Sequence, residues 1–429
     1  MIISPAITSL IILIVCIVLF ITKYVPNAVV AVLGCALFAL TGVCEIKAAF
    51  SGFSNSIVLL MFGMMVVGIA MMDTGVARII GEKVSALSKH NERLFILMAG
   101  IASVILSAFL SNTAVIAIFL PIIESVSKSD PKISRKNLTL PVTLAAMFGG
   151  VTTLVGSTPQ LTANGILSEM TGKSLQMFDF MLVGLILCVV YFIYVETIGY
   201  RLGEKIWGKD KQEVSADDIV VSAENNSGAP VKKSKIITVL IIFILTVISF
   251  IGAWIPTEMT AVIAALLCLI TRCTTQKSVI KNMDWSVVFI LAGCLGIASG
   301  ITKGGAGDLL ANMLSGVLGA NIPVIAIFAF FVVITMIVSN FITNSTAVVI
   351  MLPIALSICS ANSFNPIPFT LGIVYAANLT YSTPLANAQT AMTLVAGYKF
   401  SDYFKYTGLL ALTVCLSIII FVPLFFPLV

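Results

Sequence analysis

Charged residues are scarce in this chain. Asp, Glu, Lys and Arg together make up 10% of its 429 residues, whereas hydrophobic residues make up 59%. A soluble globular domain is about a quarter charged, so that class is excluded. The mean hydropathy of +1.11 predicts an all-α integral membrane protein with several spanning segments. The formal net charge of +5 is explained by membrane topology, and we expect no nucleic acid partner.

Histidine is rare and paired cysteines are absent. The one histidine, His90, lies in a charged stretch beside Lys89, Glu92 and Arg93, which excludes a zinc site built from several histidines. The nine cysteines are scattered without a C-x-x-C pair, so they are interpreted as small apolar packing residues. We therefore expect no bound cofactor. Residues 1–22 lack the basic start and small-residue end of a signal peptide, and we interpret them as the first spanning segment.

The loop charges predict the topology. Two apolar segments, 94–126 and 320–357, are interpreted as hairpins that enter and leave the membrane on one side. Ten others are interpreted as single crossings, at about 5–22, 27–44, 56–72, 138–168, 178–198, 236–254, 258–271, 285–301, 366–397 and 406–428. With both termini outside, all of the 24 basic residues except Lys47, Lys173 and Lys303 lie in inside loops. This positive-inside bias predicts a multi-pass protein of a bacterial-type plasma membrane.

Each predicted hairpin contains a short polar cluster, and the two clusters match each other. A shift of 232 positions places "FLSNT" (109–113) on "FITNS" (341–345) and Ser107 on Ser339. A turn inside the membrane frees backbone N–H and C=O groups, each of which costs several kcal/mol if it stays unpaired. Short hydroxyl and amide side chains cap the following helix and still present oxygen atoms to a ligand.

A second pair of matching segments follows the hairpins. "GSTPQ" (156–160) lies on "YSTPL" (381–385) at a shift near 225, and each carries a proline in mid-span. We interpret 149–165 and 375–390 as unwound breaks in spanning helices. Because the matches occur in the same order, they predict an internal duplication. Each half crosses five times, an odd number, so the second copy is predicted to be inverted, as in many secondary transporters.

The duplication brings four predicted helix N-termini, two at hairpin tips and two at breaks, toward one place. At about half a positive charge each, they would attract a dianion without any Lys or Arg. The freed carbonyl groups would suit a small hard cation such as sodium. This geometry predicts a site for a dianion and sodium together.

At these clusters the chain resembles the divalent-anion:sodium symporter family, which comprises dicarboxylate, citrate and sulfate carriers of the ion transporter superfamily. The resemblance covers essentially the whole length, and its signatures are the paired Ser-Asn-Thr tips and the Thr-Pro breaks. It implies an elevator-type homodimer that moves small dianions, C4 dicarboxylates such as succinate first, with sodium as the coupling ion. Membrane lipid is the surrounding partner.

The resemblance also implies specific site residues. The residues expected to bind substrate are Ser111, Asn112, Thr113, Ser157, Thr158, Pro159, Thr343, Asn344, Ser345, Thr383 and Pro384. A first sodium site is expected at Ser107, Ser111, Asn112 and the carbonyl group near Gly156. A second is expected at Ser339, Asn344 and the carbonyl groups near Ile342 and near Tyr381 or Ser382.

The same resemblance divides the chain into parts. The first repeat, 1–207, would hold a scaffold part at about 1–92 and a transport part at about 93–207. A cytoplasmic linker is expected at 208–235. The second repeat, 236–429, would hold a scaffold part at about 236–318 and a transport part at about 319–429. Within the scaffolds, the basic stretch 75–93 is expected to form an amphipathic helix along the inner surface, and a counterpart near 304–318 along the outer one.

Three departures from the family pattern bear on the substrate. The second tip reads Thr-Asn-Ser, Gln160 follows the first proline where the family usually has Asn, and Asn387 is displaced from the second proline. A sodium-independent dicarboxylate exchanger and a sulfate, citrate or arsenite carrier therefore stay open as alternatives.

The acidic residues disfavour two other classes of membrane protein. "GAGD" (305–308) matches the Gly-x-Gly-Asp of intramembrane aspartyl proteases, but that chemistry needs a second Asp, usually in a Tyr-Asp pair, and no such pair occurs. A proton antiporter needs a carboxylate at mid-membrane. The acidic residues nearest to apolar sequence all lie toward segment ends: Asp73, Glu124, Asp179 and Glu196. We therefore predict a carrier of anions and metal ions rather than an enzyme or a proton pump.

Overall fold

The computed structural model describes most of the chain. Described are residues 4–22, 24–76, 91–129, 133–207, 233–307, 322–384 and 387–429, with positions 79, 83, 84, 87, 88 and 309. This part is all-helical and contains no β-strand. Most of the amphipathic helix predicted at 75–93, most of its counterpart near 304–318, Asp308 of the "GAGD" motif and the linker up to residue 232 lie outside the described residues. The first described helix after the linker begins at Lys233.

The helices of the first half are numbered α1 to α9. Their bounds are α1 Pro5–Thr22, α2 Asn27–Leu40, α3 Ile46–Ala49, α4 Ser56–Asp73, α5 Glu92–Ser107, α6 Asn112–Ser129, α7 Arg135–Gly150, α8 Thr158–Thr171 and α9 Met181–Trp207. Polar side chains cap several of them; Asn91, for example, accepts a hydrogen bond from the Leu94 N–H at 3.1 Å before α5.

The helices of the second half repeat this order. Their bounds are α10 Lys233–Gly252, α11 Thr257–Ile270, α12 Gln276–Asn282, α13 Trp285–Gly304, α14 Val324–Ser339, α15 Asn344–Asn362, α16 Pro366–Asn378, α17 Ala388–Met392 and α18 Phe400–Phe425. A 3-10 turn, Thr393–Ala396, continues α17. Each helix of the first half therefore has a counterpart nine numbers later, which agrees with the predicted duplication.

The two halves contact each other in a reciprocal way. In the first half α4 packs against α11 of the second, and the counterparts of this pair, α13 and α2, also pack together. The contacts depend on small residues. A Cβ built on Gly63 would lie 2.6 Å from the backbone carbonyl carbon of Ala261, and one built on Gly293 would lie 2.7 Å from that of Ala31. The two glycines are 230 positions apart, and so are the two alanines. The same close helix crossing therefore occurs twice.

Helix lengths fit a membrane protein. Among the residues that the structure describes, seven helices are long and apolar enough to span a bilayer. Six of them coincide with predicted crossings, namely α1, α4, α9, α10, α13 and α18, and the seventh is α15, an arm of the second hairpin. Exposed apolar side chains such as Ile14, Val18 and Ile21 on α1 give the outer helices a surface suited to lipid.

The other predicted crossings are short or interrupted. Helices α2 and α11 have 14 residues each, about 21 Å at 1.5 Å per residue, which is less than the ~30 Å hydrocarbon core. The predicted crossings at 138–168 and 366–397 are interrupted, by the irregular stretches 151–157 and 379–384. The hairpins are present: α5 turns into α6 and α14 into α15 within four residues each.

The close crossing of α4 and α11 gives a first prediction. Gly63→Ala should lower the apparent melting temperature of the detergent-purified protein, because the new Cβ overlaps backbone atoms of Ala261 and the helices must separate. Overpacking of this kind costs about 1–3 kcal/mol.

Gly408→Ala is the matched control, because a Cβ at Gly408 in α18 meets nothing within 4 Å. Its melting temperature should equal or slightly exceed that of the wild type. Equal melting temperatures for the Gly63→Ala and Gly408→Ala variants would contradict the close crossing.

Candidate functional site

The first hairpin tip is organised around Asn112. Ser107, at the end of α5, donates its hydroxyl hydrogen bond to Asn112 Oδ1 at 2.5 Å, and both side chains are buried. Ser111 Oγ caps α6 by accepting from the Ala114 N–H at 3.3 Å and lies 3.3 Å from Thr113 Oγ1. Ser111 is exposed and Thr113 half-buried. The tip thus holds a fixed amide beside hydroxyl groups that a ligand can reach.

The first break lies directly against this tip. Thr153, in the irregular stretch after α7, donates to the carbonyl oxygen of Ala108 in the turn of the hairpin. The Gln160 amide nitrogen donates to the carbonyl oxygens of Gly150 at 2.7 Å and of Thr153 at 3.0 Å. Side chains therefore satisfy carbonyl groups that the break frees from the helix. Gly150 has no Cβ, and a Cβ there would lie 2.8 Å from Asn112 Cγ.

The second hairpin tip repeats the arrangement and adds oxygen atoms to it. Ser339 Oγ lies 3.3 Å from Asn344 Oδ1 and donates to the carbonyl oxygen of Ala377 at 2.9 Å. Thr380 Oγ1 lies 3.3 Å from both Ser339 Oγ and Asn344 Oδ1. Four oxygen atoms of four residues therefore surround one small volume. Sequence reasoning missed Ala377 and Thr380, although both lie in the segment 375–390 that it identified as a break.

The second break corresponds to the first, in a register that the sequence did not predict. Thr383 donates to the carbonyl oxygen of Asn340 at 2.6 Å, as Thr153 does to that of Ala108. Thr383 is therefore the counterpart of Thr153, and the shift is 230. The predicted shift near 225 was wrong, because it paired two Thr-Pro sequences that have different positions.

The two Thr-Pro sequences differ in structure. Thr158 and Pro159 are the first two residues of α8, where proline is favoured. Thr383 and Pro384 are buried in the irregular stretch before α17. Asn387 is the residue directly before α17 and caps this helix. It accepts a hydrogen bond from the Thr390 N–H at 2.8 Å and donates one to the Thr380 carbonyl oxygen at 2.8 Å. Its counterpart at the start of α8 is Ser157.

Hydrogen bonds also join the two breaks. Ser157 Oγ donates to Asn378 Oδ1 at 2.9 Å, and the Asn378 amide nitrogen donates to Gln160 Oε1 at 3.3 Å. Gln160 also donates to the carbonyl oxygen of Gly150, which lies beside Asn112. Ala377, the residue before Asn378, accepts the hydrogen bond of Ser339. Most of the predicted site residues thus belong to one connected polar region that runs from the first tip through both breaks to the second tip.

The remaining predicted residues lie at its edges. Thr343 caps α15, and Ser345 is half-buried in its first turn. Ser382 accepts a hydrogen bond from Thr407 Oγ1 of α18 at 3.3 Å. Gly156 and Ile342 are buried, and a Cβ on Gly156 would lie 2.9 Å from the Gly150 carbonyl carbon.

Asn27 is a further residue that sequence reasoning missed. It is the first residue of α2, and its amide nitrogen donates to Thr343 Oγ1 at 3.2 Å and to Thr346 Oγ1 at 3.3 Å. An asparagine after a proline at a helix start is an ordinary cap sequence, so no local signal distinguishes it. This contact connects the predicted scaffold of the first half to the hairpin tip of the second.

The electrostatic field of the region comes from dipoles. No Asp, Glu, Lys, Arg or His occurs in the tips 107–114 and 339–346 or in the breaks 150–160 and 378–390. Helices α6, α8 and α15 begin there, with lengths of 18, 14 and 19 residues. The fourth helix, α17, has only five. The predicted field of four full helix dipoles is therefore reduced to three.

The acidic residues nearest to apolar sequence have partners elsewhere. Glu124 pairs with Arg135 at 2.9 Å and Glu196 with Arg93 at 2.8 Å. Asp73 accepts from Thr274 Oγ1 at 2.6 Å. In the described part of the chain, no group of three His, Cys, Asp or Glu side chains is arranged to hold a metal ion. A cation bound here would have neutral oxygen ligands.

Comparison with known proteins identifies the family. The family model CitMHS, described as "Citrate transporter", matches residues 17–340 and 323–428. The chain belongs to this family. The matched family and the relatives named below are transporters rather than enzymes, and the apolar helices of the described part of the chain are consistent with a multi-pass membrane protein.

Three relatives illustrate the range of similarity. The sodium-dependent dicarboxylate transporter SdcS of Staphylococcus saprophyticus is 24% identical over 448 residues, which cover 94% of this chain and 83% of SdcS. An uncharacterized transporter of Synechocystis, sll0640, is 30% identical over 187 residues, 44% of this chain but only 30% of that relative's length. The YdaH transporter of Alcanivorax borkumensis shares the fold, with a TM-score of 0.65 at 12% identity over 90% of this chain and 87% of YdaH.

Gly150 gives a second prediction. Gly150→Ala should lower dicarboxylate uptake into proteoliposomes at least tenfold, because the new Cβ displaces the Asn112 amide from its hydrogen bond with Ser107. Gly408→Ala again serves as the control and should transport at the wild-type rate. Normal uptake by the Gly150→Ala variant, at equal amounts of reconstituted protein, would show that the position of the Asn112 amide is not critical.

Proposed function

We propose that this protein is a secondary active transporter of C4 dicarboxylates such as succinate and malate, driven by sodium. The observation that carries the proposal is the connected polar region, in which two Ser–Asn pairs and two helix breaks meet without a charged side chain. The 24% identity to SdcS, which is named a sodium-dependent dicarboxylate transporter, extends over 94% of this chain and supports the same substrate class.

The dianion would bind at the hairpin tips. The starts of α6, α8 and α15 offer free backbone N–H groups and the positive ends of their dipoles. Hydroxyl groups of Ser111, Thr113 and Ser345 are half-buried or exposed and can donate to carboxylate oxygens. Such a site attracts a dianion yet avoids a fixed ion pair, which would slow the release that transport requires.

Sodium would bind on the other side of each asparagine. Ser107 and Asn112 supply the first oxygen pair, and Ser339, Asn344, Ala377 and Thr380 supply the second set. An asparagine whose Oδ1 faces the cation directs its Nδ2 the opposite way, toward the anion. Each asparagine would then couple the two ligands, because a bound cation fixes the amide in the orientation that favours the carboxylate.

The architecture proposed for this mechanism is an inverted repeat that works as an elevator within a homodimer. The reciprocal contacts of α4 with α11 and of α2 with α13 support an inverted pair of scaffolds. The transport parts, 93–207 and 319–429, would move together, because Ser157 and Asn378 join them. The hydrogen bond from Asn27 to Thr343 would then break and re-form as the second hairpin tip moves past the scaffold.

The function is tested by uptake of radiolabelled succinate into proteoliposomes under four conditions. An inward sodium gradient is compared with choline, each with and without succinate inside. Sodium-dependent accumulation in empty vesicles is the expected result, and it should be reduced by unlabelled malate.

Two other results would change the proposal. Uptake that ignores sodium and requires internal succinate would identify an exchanger. If succinate is not taken up but citrate is, in a sodium-dependent way, the substrate is citrate, as in the description of the family. That result would contradict a specificity for C4 dicarboxylates.

The two asparagines give a third prediction. Asn112→Ala and Asn344→Ala should each reduce uptake below about a hundredth of the wild-type rate, because each removes a group that contacts both ligands, while expression and oligomeric state stay unchanged. Asn362→Ala is a matched control at the far end of α15, where the side chain donates only to the Ile358 carbonyl of its own helix. Normal uptake in either tip variant would refute the site.

A further inference from the structure

Two hydroxyl groups of the hairpins have no hydrogen-bond partner. Ser103 in α5 and Thr335 in α14 are both 0% exposed, and within the part of the chain that the structure describes neither Oγ atom has a donor or acceptor in reach. A buried hydroxyl group without a partner is costly and uncommon. Such a group points to a ligand or to a specific structural role.

Hydroxyl groups in other helices of the protein donate to their own backbone. Thr139, Thr246 and Thr370 each donate to the carbonyl oxygen four residues earlier, at 2.8 to 2.9 Å, which is the usual arrangement in apolar helices. Within the described part of the chain, Ser103 and Thr335 make no such hydrogen bond.

The two exceptions occupy equivalent positions. Thr335 lies 232 residues after Ser103, the same shift that relates Ser339 to Ser107. Each lies four residues before that serine and therefore on the same helix face, one turn farther from the tip. The coincidence in both halves indicates a shared role rather than two independent packing defects.

We propose that Ser103 and Thr335 are additional oxygen ligands of the two coupling cations, one in each half. The inference rests on the proposed sodium coupling. Residues four apart on a helix have Cβ atoms about 5–6 Å apart, and hard cations of this size take oxygen ligands at about 2.3–2.6 Å. One ion between two such side chains contacts both hydroxyl groups, so a cation held by Ser107 and Asn112 would also reach Ser103.

The surroundings of each hydroxyl favour this assignment. Beside Ser103, α5 and α7 approach so closely that a Cβ on Gly149 would lie 2.5 Å from Val104 Cα. Beside Thr335, α14 packs against α16, whose Ala377 carbonyl already belongs to the second oxygen set. These neighbouring groups are close and uncharged, which suits a dehydrated monovalent cation better than a carboxylate.

The test compares Ser103→Ala and Thr335→Val with Thr246→Val. The last removes a buried hydroxyl group in α10 that donates to the backbone of its own helix and is not among the proposed cation ligands. Apparent melting temperature of the purified protein is measured against sodium concentration, with choline keeping ionic strength constant, and the half-saturating sodium concentration for succinate uptake is measured in parallel.

The expected result has two parts. In choline alone, Ser103→Ala and Thr335→Val should melt at or above the wild-type temperature, because an unpaired hydroxyl group has been removed. In both assays the half-saturating sodium concentration should rise about tenfold or more, while uptake at saturating sodium is largely preserved. Thr246→Val should show the wild-type sodium dependence.

Three results would overturn the inference, and they are distinguishable. If the wild type responds to sodium and both hydroxyl variants stay within twofold of its half-saturating concentration, the two hydroxyl groups are not ligands. If the variants lower the melting temperature equally with and without sodium, their role is packing. If the wild type itself ignores sodium in both assays, the proposed coupling is wrong and the inference fails with it.

Discussion

The structure depends on how backbone groups are satisfied where helices stop inside an apolar environment. Each hairpin turn and each break frees N–H and C=O groups that lipid cannot pair. The chain meets this requirement with hydrogen bonds from neutral side chains. Gln160 donates to two backbone carbonyl oxygens and Asn387 to one. Thr153 and Thr383 each donate from a break to a carbonyl oxygen in the adjacent hairpin turn. The same residues hold helix starts and oxygen atoms close together. The candidate site therefore consists largely of the side chains that pair the freed backbone groups.

A neutral site has consequences for transport. Fixed charges would bind a dianion tightly, and in a low-dielectric environment they would be costly whenever the ligand left. Helix dipoles, hydroxyl groups and amides give a weaker and reversible attraction. In the proposed transporter, an asparagine with one end toward each ligand would make the binding of cation and anion mutually dependent, which is the coupling that a symporter requires. Two copies of that arrangement would provide two cation sites in the proposed transporter.

Sequence reasoning predicted the membrane class, both hairpin tips and both breaks, because small polar residues deep in apolar segments are costly unless a turn or a break of the backbone uses them. It misjudged the register of the second break, because the Thr-Pro signal recurs by coincidence at a different structural position. It also treated α17 as a full helix, although a five-residue helix leaves no signature in composition. Asn27, Asn378 and Thr380 act through tertiary contacts, and such contacts depend on how the two halves pack, which no local pattern encodes.

The most direct test of this account is a cryo-electron microscopy map of the protein in lipid nanodiscs with sodium and succinate. The account predicts ligand density between the two tips, in contact with Asn112 and Asn344, and a smaller peak beside each of Ser107 and Ser339. Succinate density away from both asparagines, or a map in which the two tips do not face a common volume, would contradict it.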